Sequence, residues 1–234
     1  MRTSTIARTT ALAASALLAL TTLSTATPAA AATPAKDGHR SPGQVLTIRL
    51  REAIDALPVA DENREDYERT KFRHWIDADK NGCNTRKEVI LAEAVDAPEV
   101  GPGCALTGGT WFSPYDSLTV TDSAALDVDH MVPLAEAWDS GAYGWTPKER
   151  EAYANDLGDE RSLIAVSARS NRSKADKDPA DWMPPARNYT CTYLTNWTTV
   201  KTRWSLTVDQ READTLHQIA ADCPDETITV ELAR

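Results

Sequence analysis

Four cysteines, Cys83, Cys104, Cys191 and Cys223, stand behind an N-terminal stretch with the marks of an export signal, and that pairing restricts how the chain can fold. The first 32 residues carry Arg2 and Arg8, an apolar run from Ala11 to Leu20, and small residues leading into Ala30-Ala31-Ala32. Such a leader is removed and takes no part in the fold. An exported chain meets an oxidising compartment, so the cysteines read as two disulfides. Three pairings exist; Cys83 with Cys104 and Cys191 with Cys223 is favoured because each closes a short loop within one half of the chain. A zinc site is the competing reading. It lacks a CxxC pair, and the four histidines are scattered at positions 39, 74, 130 and 217.

About 200 residues then remain from Thr33 onward, enough for one core. We divide them into an N-terminal arm and first helix (33–60), a central domain (61–187) and a C-terminal disulfide-bonded extension (188–234). No later stretch approaches the roughly 20 apolar residues of a membrane helix. Without its leader the chain carries 23 Lys and Arg against 35 Asp and Glu, a net charge that repels polyphosphate on average. The local balance differs between 161 and 177, where Arg161, Arg169, Arg172, Lys174 and Lys177 face a single acid, Asp176. A solvated helix face is the plain reading of that run, and an anion-binding face the functional one.

Periodicity orders the elements. "SPGQVLTIRLREAIDALPVA" (41–60) repeats apolar residues at helical spacing after a Ser-Pro start, and predicts a first helix. Further helices are expected over Asn63 to Trp75, Arg86 to Ala94 and Val208 to Ala221. "GPGCALTGGTWFSPYDSLTV" (101–120) predicts a short hairpin. "TPKEREAYANDL" (146–157) opens a helix on a Thr-x-x-Glu capping box with proline in its first turn. Strands are expected at "SAALDVDHMVPL" (123–134) and "RSLIAVSA" (161–168), the latter leading into a polar helix, "RSNRSKADKDPADW" (169–182). The class is α+β. Seven tryptophans, at 75, 111, 138, 145, 182, 197 and 204, read mainly as core, with Trp138 and Trp182 as scaffold.

Asp129 and His130 lie inside the apolar "LDVDHMVPL". Neighbours on a strand point to opposite faces, so both enter one site only where the strand bends or ends, as Pro133 favours. A neutral imidazole takes a proton from water near neutral pH, and a carboxylate beside it holds a hard cation. The plain alternative is a buried histidine bonded to the backbone. A second constellation, "DADKNGCNTRKE" (77–88), fulfils the calcium-loop pattern with Asp77, Asp79, Asn81, Gly82 and Glu88. Against it, Asn84 occupies a position that is usually apolar, and acid-rich turns also serve simply as helix entries.

The Asp-His strand followed by a strand and a helix containing Asn171 resembles the ββα-metal core of HNH nucleases. The likeness extends through "DHMVPLAEAWDSGA", "AYANDLGDERSLIAV", "NRSKADKDPADWMPP", "GCNTR" and "SPYDS" to secreted bacterial HNH nucleases related to the C-terminal domain of the GmrSD-type restriction endonucleases, over roughly residues 70 to 186. The resemblance implies a ββα-metal core with surrounding helices, Asp129 and Asn171 as ligands of one Mg²⁺ or Mn²⁺, and His130 as general base. It implies a nucleic acid substrate, DNA before RNA, cut to 5′-phosphate and 3′-hydroxyl ends. Arg86, Arg169, Arg172 and Lys174 become candidate phosphate contacts, and Asp127 a group behind the metal ligands. Where the family commonly has an asparagine that positions the histidine, this chain has Ser162; either Asn155 or a backbone group then holds the ring. The rival function is a secreted calcium-binding or adhesive module on an inactive scaffold.

Overall fold

The computed structural model describes residues 41–234. The leader expected over residues 1–32 and the start of the arm lie outside them. The chain opens with strand β1 (Val45–Arg49) and helix α1 (Leu50–Asp55), then runs to helix α2 (Thr85–Ala92). Short strands follow: β2 (Ala94–Asp96), β3 (Glu99–Gly101), β4 (Ala105–Thr107), β5 (Thr110–Ser113) and β6 (Leu118–Val120). Next come β7 (Leu126–His130), α3 (Leu134–Asp139), α4 (Pro147–Ala154), β8 (Leu163–Ser167) and α5 (Ala168–Lys174). The last elements are α6 (Thr190–Arg203), α7 (Gln210–Ala221) and β9 (Thr227–Glu231). The result is mixed α and β, with small antiparallel sheets: β1 with β9, β2 with β5 and β6, β3 with β4, and β7 with β8.

Two expected helices give way to other structure. "VLTIR" (45–49) is strand β1, paired in register from Val45 opposite Glu231 to Arg49 opposite Thr227. Its alternating β-branched residues suit a strand, and the partner that decides the matter lies some 180 residues away, beyond any local window. Between Asn63 and Trp75 only a single 3₁₀ turn forms, Arg69–Lys71. Asp66 and Trp75 hold φ values of 58° and 60°, which no helix permits, while Phe72 is pulled fully into the core. The other local signals hold. Thr146 and Glu149 form the reciprocal capping box of α4, Asn84 caps α2, and the strand–strand–helix order around Asp129 appears as β7, β8 and α5.

Helix α6, not anticipated from the sequence, runs through the centre of the molecule. Tyr193, Leu194, Trp197, Val200 and Trp204 pack in one cluster with Met131, Val132, Trp138 and Tyr153, so the region after residue 188 shares the core of the region before it. Two buried cations on α6 anchor that cluster. Lys201 reaches Glu136 (2.7 Å) and Glu212 (2.9 Å), and Arg203 grips Asp156 (2.7 and 2.9 Å). Both disulfides form as favoured, Cys83 to Cys104 and Cys191 to Cys223; the second ties α6 to the end of α7. Among the described residues no helix is long and apolar enough to cross a membrane.

Replacing Cys191 and Cys223 together by serine lowers the unfolding free energy by about 3 kcal/mol, read from the urea midpoint, because the broken cross-link no longer restricts the unfolded chain. A second prediction concerns pH. Burial raises the carboxyls of Glu62 and Glu93 to about 7 and that of Glu212 to about 8. Each therefore binds its proton more tightly in the folded chain than in the unfolded one, so stability is lost as pH rises through these values. His130, lowered to about 3 by burial, acts in the opposite sense, but only below its ordinary 6.5. The melting temperature thus falls between pH 6.5 and 8, and Glu93→Gln makes the fall shallower.

Candidate active site

Strands β7 and β8 pair with Asp129 opposite Ile164 and His130 opposite Leu163, and β8 passes straight into α5 at a Ser167 cap. Asp127 and Asp129, two apart, share one face of β7, while Asn171 and Lys174, three apart, share one face of α5. The two faces meet rung by rung. The Asn171 amide donates to Asp127 (3.3 Å), and the Lys174 ammonium is bonded to Asp129. Past β7, a cavity of about 330 Å³ opens between strand end and helix, lined by Arg69, Asp129, His130, Asn171, Arg172 and Asp176 among others. The strand ends where the sequence places the Asp-His pair, which is why both neighbours reach one cavity.

His130 is held by backbone. Its Nε2 lies 3.0 Å from the Ala154 carbonyl, and a carbonyl only accepts, so the proton sits on Nε2 and Nδ1 keeps its lone pair. Among the described residues Nδ1 has no hydrogen-bond partner. Trp75 stacks on the ring with centroids 5.2 Å apart, and Tyr153 lies near-parallel at 6.4 Å. Burial, opposed by the Ala154 bond and aided by the Arg69, His74 and Lys174 charges, lowers the imidazole to about 3, so it is neutral at neutral pH.

Neither Asn155 nor Ser162 touches the ring. Asn155 uses all its amide valences elsewhere, donating to the Arg73 and Glu151 carbonyls (2.8 Å each) and accepting from Ile76 N (3.0 Å) and Thr85 Oγ1 (2.9 Å). It thereby pins residues 73–76, the segment that carries Trp75 in its left-handed conformation. Ser162 turns its hydroxyl to Asp156 (2.8 Å), within the Arg203 and Trp204 cluster.

Asp129 is 4 % exposed and commits one oxygen, Oδ2, to two donors: the Tyr115 hydroxyl at 2.6 Å and Lys174. Oδ1 makes no hydrogen bond among the described residues. Burial raises this carboxyl and works against its charge, while the Lys174 ammonium and the Tyr115 hydroxyl favour ionisation. Lys174 is fully buried, with Asp129, the His130 carbonyl (2.9 Å) and the Met131 carbonyl (2.8 Å) around it and the rings of Tyr115, Tyr193 and Trp197 within 6 Å. It is thus a structural counter-ion, and the phosphate role expected for it is corrected: no substrate reaches a fully buried ammonium.

Arg86 is half-buried, donates to the Leu126 carbonyl (2.8 Å) at the start of β7, and is not among the residues lining the cavity. Arg172 does line the cavity, its Nε 3.5 Å from Asp127, whereas Arg169 faces a different cavity across α5. Three contributors escaped the sequence reading. Arg69 and Trp75 sit in the stretch expected to be helical, without a motif to mark them. Tyr115 stands in "SPYDS", whose family likeness was visible but whose bond to Asp129 was not.

The acid loop closes on itself. Asp77 accepts from the backbone N–H of Asn81 (3.1 Å) and Gly82 (3.0 Å), Asp79 from Asn81 (3.2 and 2.9 Å), and Glu88 from the Asn81 amide (3.4 Å). Among the described residues, the acids near enough to share an ion are Glu62 with Asp178 and Asp209, and Glu62 with Glu136 and Asp139. Asp129 is in neither group. The Asp129 and Asn171 oxygens nonetheless suit a hard divalent ion of the kind that takes one or two protein ligands and leaves the rest to water and phosphate.

Comparison with known proteins identifies the family. The family described as GmrSD restriction endonucleases, C-terminal domain, matches residues 62–219, which extends beyond the 70 to 186 span of motif likeness. A protein of Arthroderma benhamiae named only as an uncharacterized secreted protein is 40% identical over 171 residues, covering 73% of this chain and 82% of its own. That relative is fungal, so the bacterial character of the resemblance finds no support in it. No solved structure matches. With more than half its length inside the match, the chain belongs to the family of GmrSD restriction endonuclease C-terminal domains.

Proposed function

We propose that the chain is a secreted, metal-dependent endonuclease of the HNH type that hydrolyses phosphodiester bonds of nucleic acid, with His130 as general base. The observation that carries this reading is the neutral His130, its Nε2 proton tied to Ala154 and its Nδ1 unpartnered among the described residues, in a cavity that Asp129 and Asn171 also line. Secretion is supported by the leader-like residues 1–32, by the two disulfides and by the name of the relative.

In this reading Arg69 and Arg172 hold a phosphodiester in the cavity, contacting its oxygens without reading base sequence. His130 Nδ1 takes a proton from water as that water's oxygen attacks phosphorus, and the bond to the 3′ oxygen breaks. The leaving oxygen collects its proton from solvent, giving 5′-phosphate and 3′-hydroxyl ends. An imidazole near 3 is a weak base, but the negative charge of the bound diester favours its protonated form and draws it back toward the useful range. The Ala154 carbonyl, which fixes the tautomer, also steadies the imidazolium. A divalent ion held by Asp129 and Asn171 would supply charge neutralisation at the phosphate and at the leaving oxygen.

Plasmid cleavage by residues 33–234 in Mg²⁺ tests this directly. His130→Ala, shown to be folded by circular dichroism at the assay temperature, is expected to lose at least about 10²-fold in rate, and chelation to silence the wild type. Undiminished cleavage by the folded His130→Ala variant overturns the assignment. A folded wild type inactive in Mg²⁺, Mn²⁺ and Ca²⁺ moves it to the calcium-binding or adhesive module.

A second pair of variants separates substrate contact from scaffold. Lys174→Met leaves a buried carboxylate without its counter-ion and lowers unfolding free energy by about 3 kcal/mol in urea. Arg172→Ala leaves that midpoint in place and raises KM.

A further inference from the structure

Helix α5 is a wall with two sides. Asn171, Arg172 and Ala175 face the cavity of His130, while Arg169, Ser170 and Ser173 face a second cavity of about 430 Å³, closed by Asp116, Leu118, Trp182 and Pro185. Its volume is within the range of small-ligand sites. Trp182 is half-buried: it packs against Tyr115 (centroids 5.3 Å) and Tyr193 (5.8 Å), and its Nε1 donates to Ser173 (3.2 Å). The indole is therefore fixed from behind and below while it lines the cavity. Arg169 is exposed and makes no hydrogen bond or ion pair among the described residues. Asp116 is held by the hydroxyls of Ser113 (2.6 Å), Ser167 and Ser170 (2.8 Å), which fixes the floor of the cavity to β5, β8 and α5.

A rigid aromatic plate beside an unpaired guanidinium is the combination that takes a nucleobase and its phosphate. Leu118 and Pro185 supply the apolar remainder. Continuity with the first cavity names the occupant. The two cavities are separated by one helix, about 10 Å across with its side chains, and Arg172 and Arg169 stand three residues apart on it, one at each cavity, so a strand held over His130 has the second cavity within reach. A base within a duplex is stacked on both faces and paired along one edge, and offers no face to an indole.

We infer that the Trp182–Arg169 cavity is a nucleotide subsite, taking an unpaired base and its phosphate next to the scissile bond, and that the favoured substrate is single-stranded or locally unpaired nucleic acid. This rests on the nuclease reading above and deepens it.

The test compares kcat/KM for a single-stranded oligonucleotide with that for bis(p-nitrophenyl) phosphate, a diester too small to reach the subsite, both in Mg²⁺. Trp182→Ala lowers the oligonucleotide-to-small-diester ratio by about five-fold or more, through KM, and Trp182→Phe keeps most of it. Arg169→Glu lowers the same ratio and flattens its salt dependence. The wild type prefers the single strand over the corresponding duplex, and Trp182→Ala loses that preference. An unchanged ratio in Trp182→Ala and Arg169→Glu overturns the subsite, as does an equal loss on both substrates. A wild type that cleaves neither substrate overturns the nuclease reading, and the subsite with it.

Discussion

The buried ammonium of Lys174 is the point on which the site depends. Its three N–H groups go to Asp129 and to the His130 and Met131 carbonyls, and three aromatic rings from different parts of the chain surround it. One charge thus fixes the end of β7, the last turn of α5, the loop bearing Tyr115 and the face of α6. Hydrogen bonds to a charged donor are stronger than neutral ones, and a charge without water demands its partners. The carboxylate that pairs with it belongs to a residue that also lines the cavity beside His130, and its second oxygen is left without a hydrogen bond among the described residues. One side chain therefore serves the scaffold and borders the candidate site.

Helix α6 extends the same logic deeper. Lys201 and Arg203 carry charge into an apolar centre, where each meets acids from distant elements, Glu136 and Glu212 for one and Asp156 for the other. Such bridges add little net stability over hydrophobic packing, but a wrong register leaves a buried charge unpaired and costs several kcal/mol. Conformational uniqueness is what the arrangement secures. In a chain so rich in acids, burying cations at its centre also relieves the repulsion among the carboxylates around them.

Local chemistry was legible in the sequence wherever the determinants were local. The capping box of Thr146 and Glu149, the hairpin turns and the short-loop disulfides each need only a few neighbouring residues, and all are present. The Asp129, His130 and Asn171 grouping was readable through the family resemblance, and Asp127 beside Asp129 through the strand period. Long-range closure was not readable. "VLTIR" reads as helix until its partner near residue 229 is known, and "ENREDYERTKFRHW" until Phe72 and Trp75 are seen to be drawn inward. Lys174 looked like one of several surface cations because charge patterning alone carries no depth. Its burial follows from its position three residues after Asn171 on the face of α5 that lies on β7.

Among the described residues, strand β1 pairs with β9 and with no other strand. A ribosome delivers residue 45 long before residue 231, so the first strand waits through nearly the whole of synthesis for its edge to be covered. Its hydrogen-bonding groups stay with water until then, and the core around α6 waits as well. The fold therefore closes late and all together, driven by contacts of large sequence separation, which assemble slowly. The leading part of the chain therefore cannot lock into its final shape until the trailing part has been made.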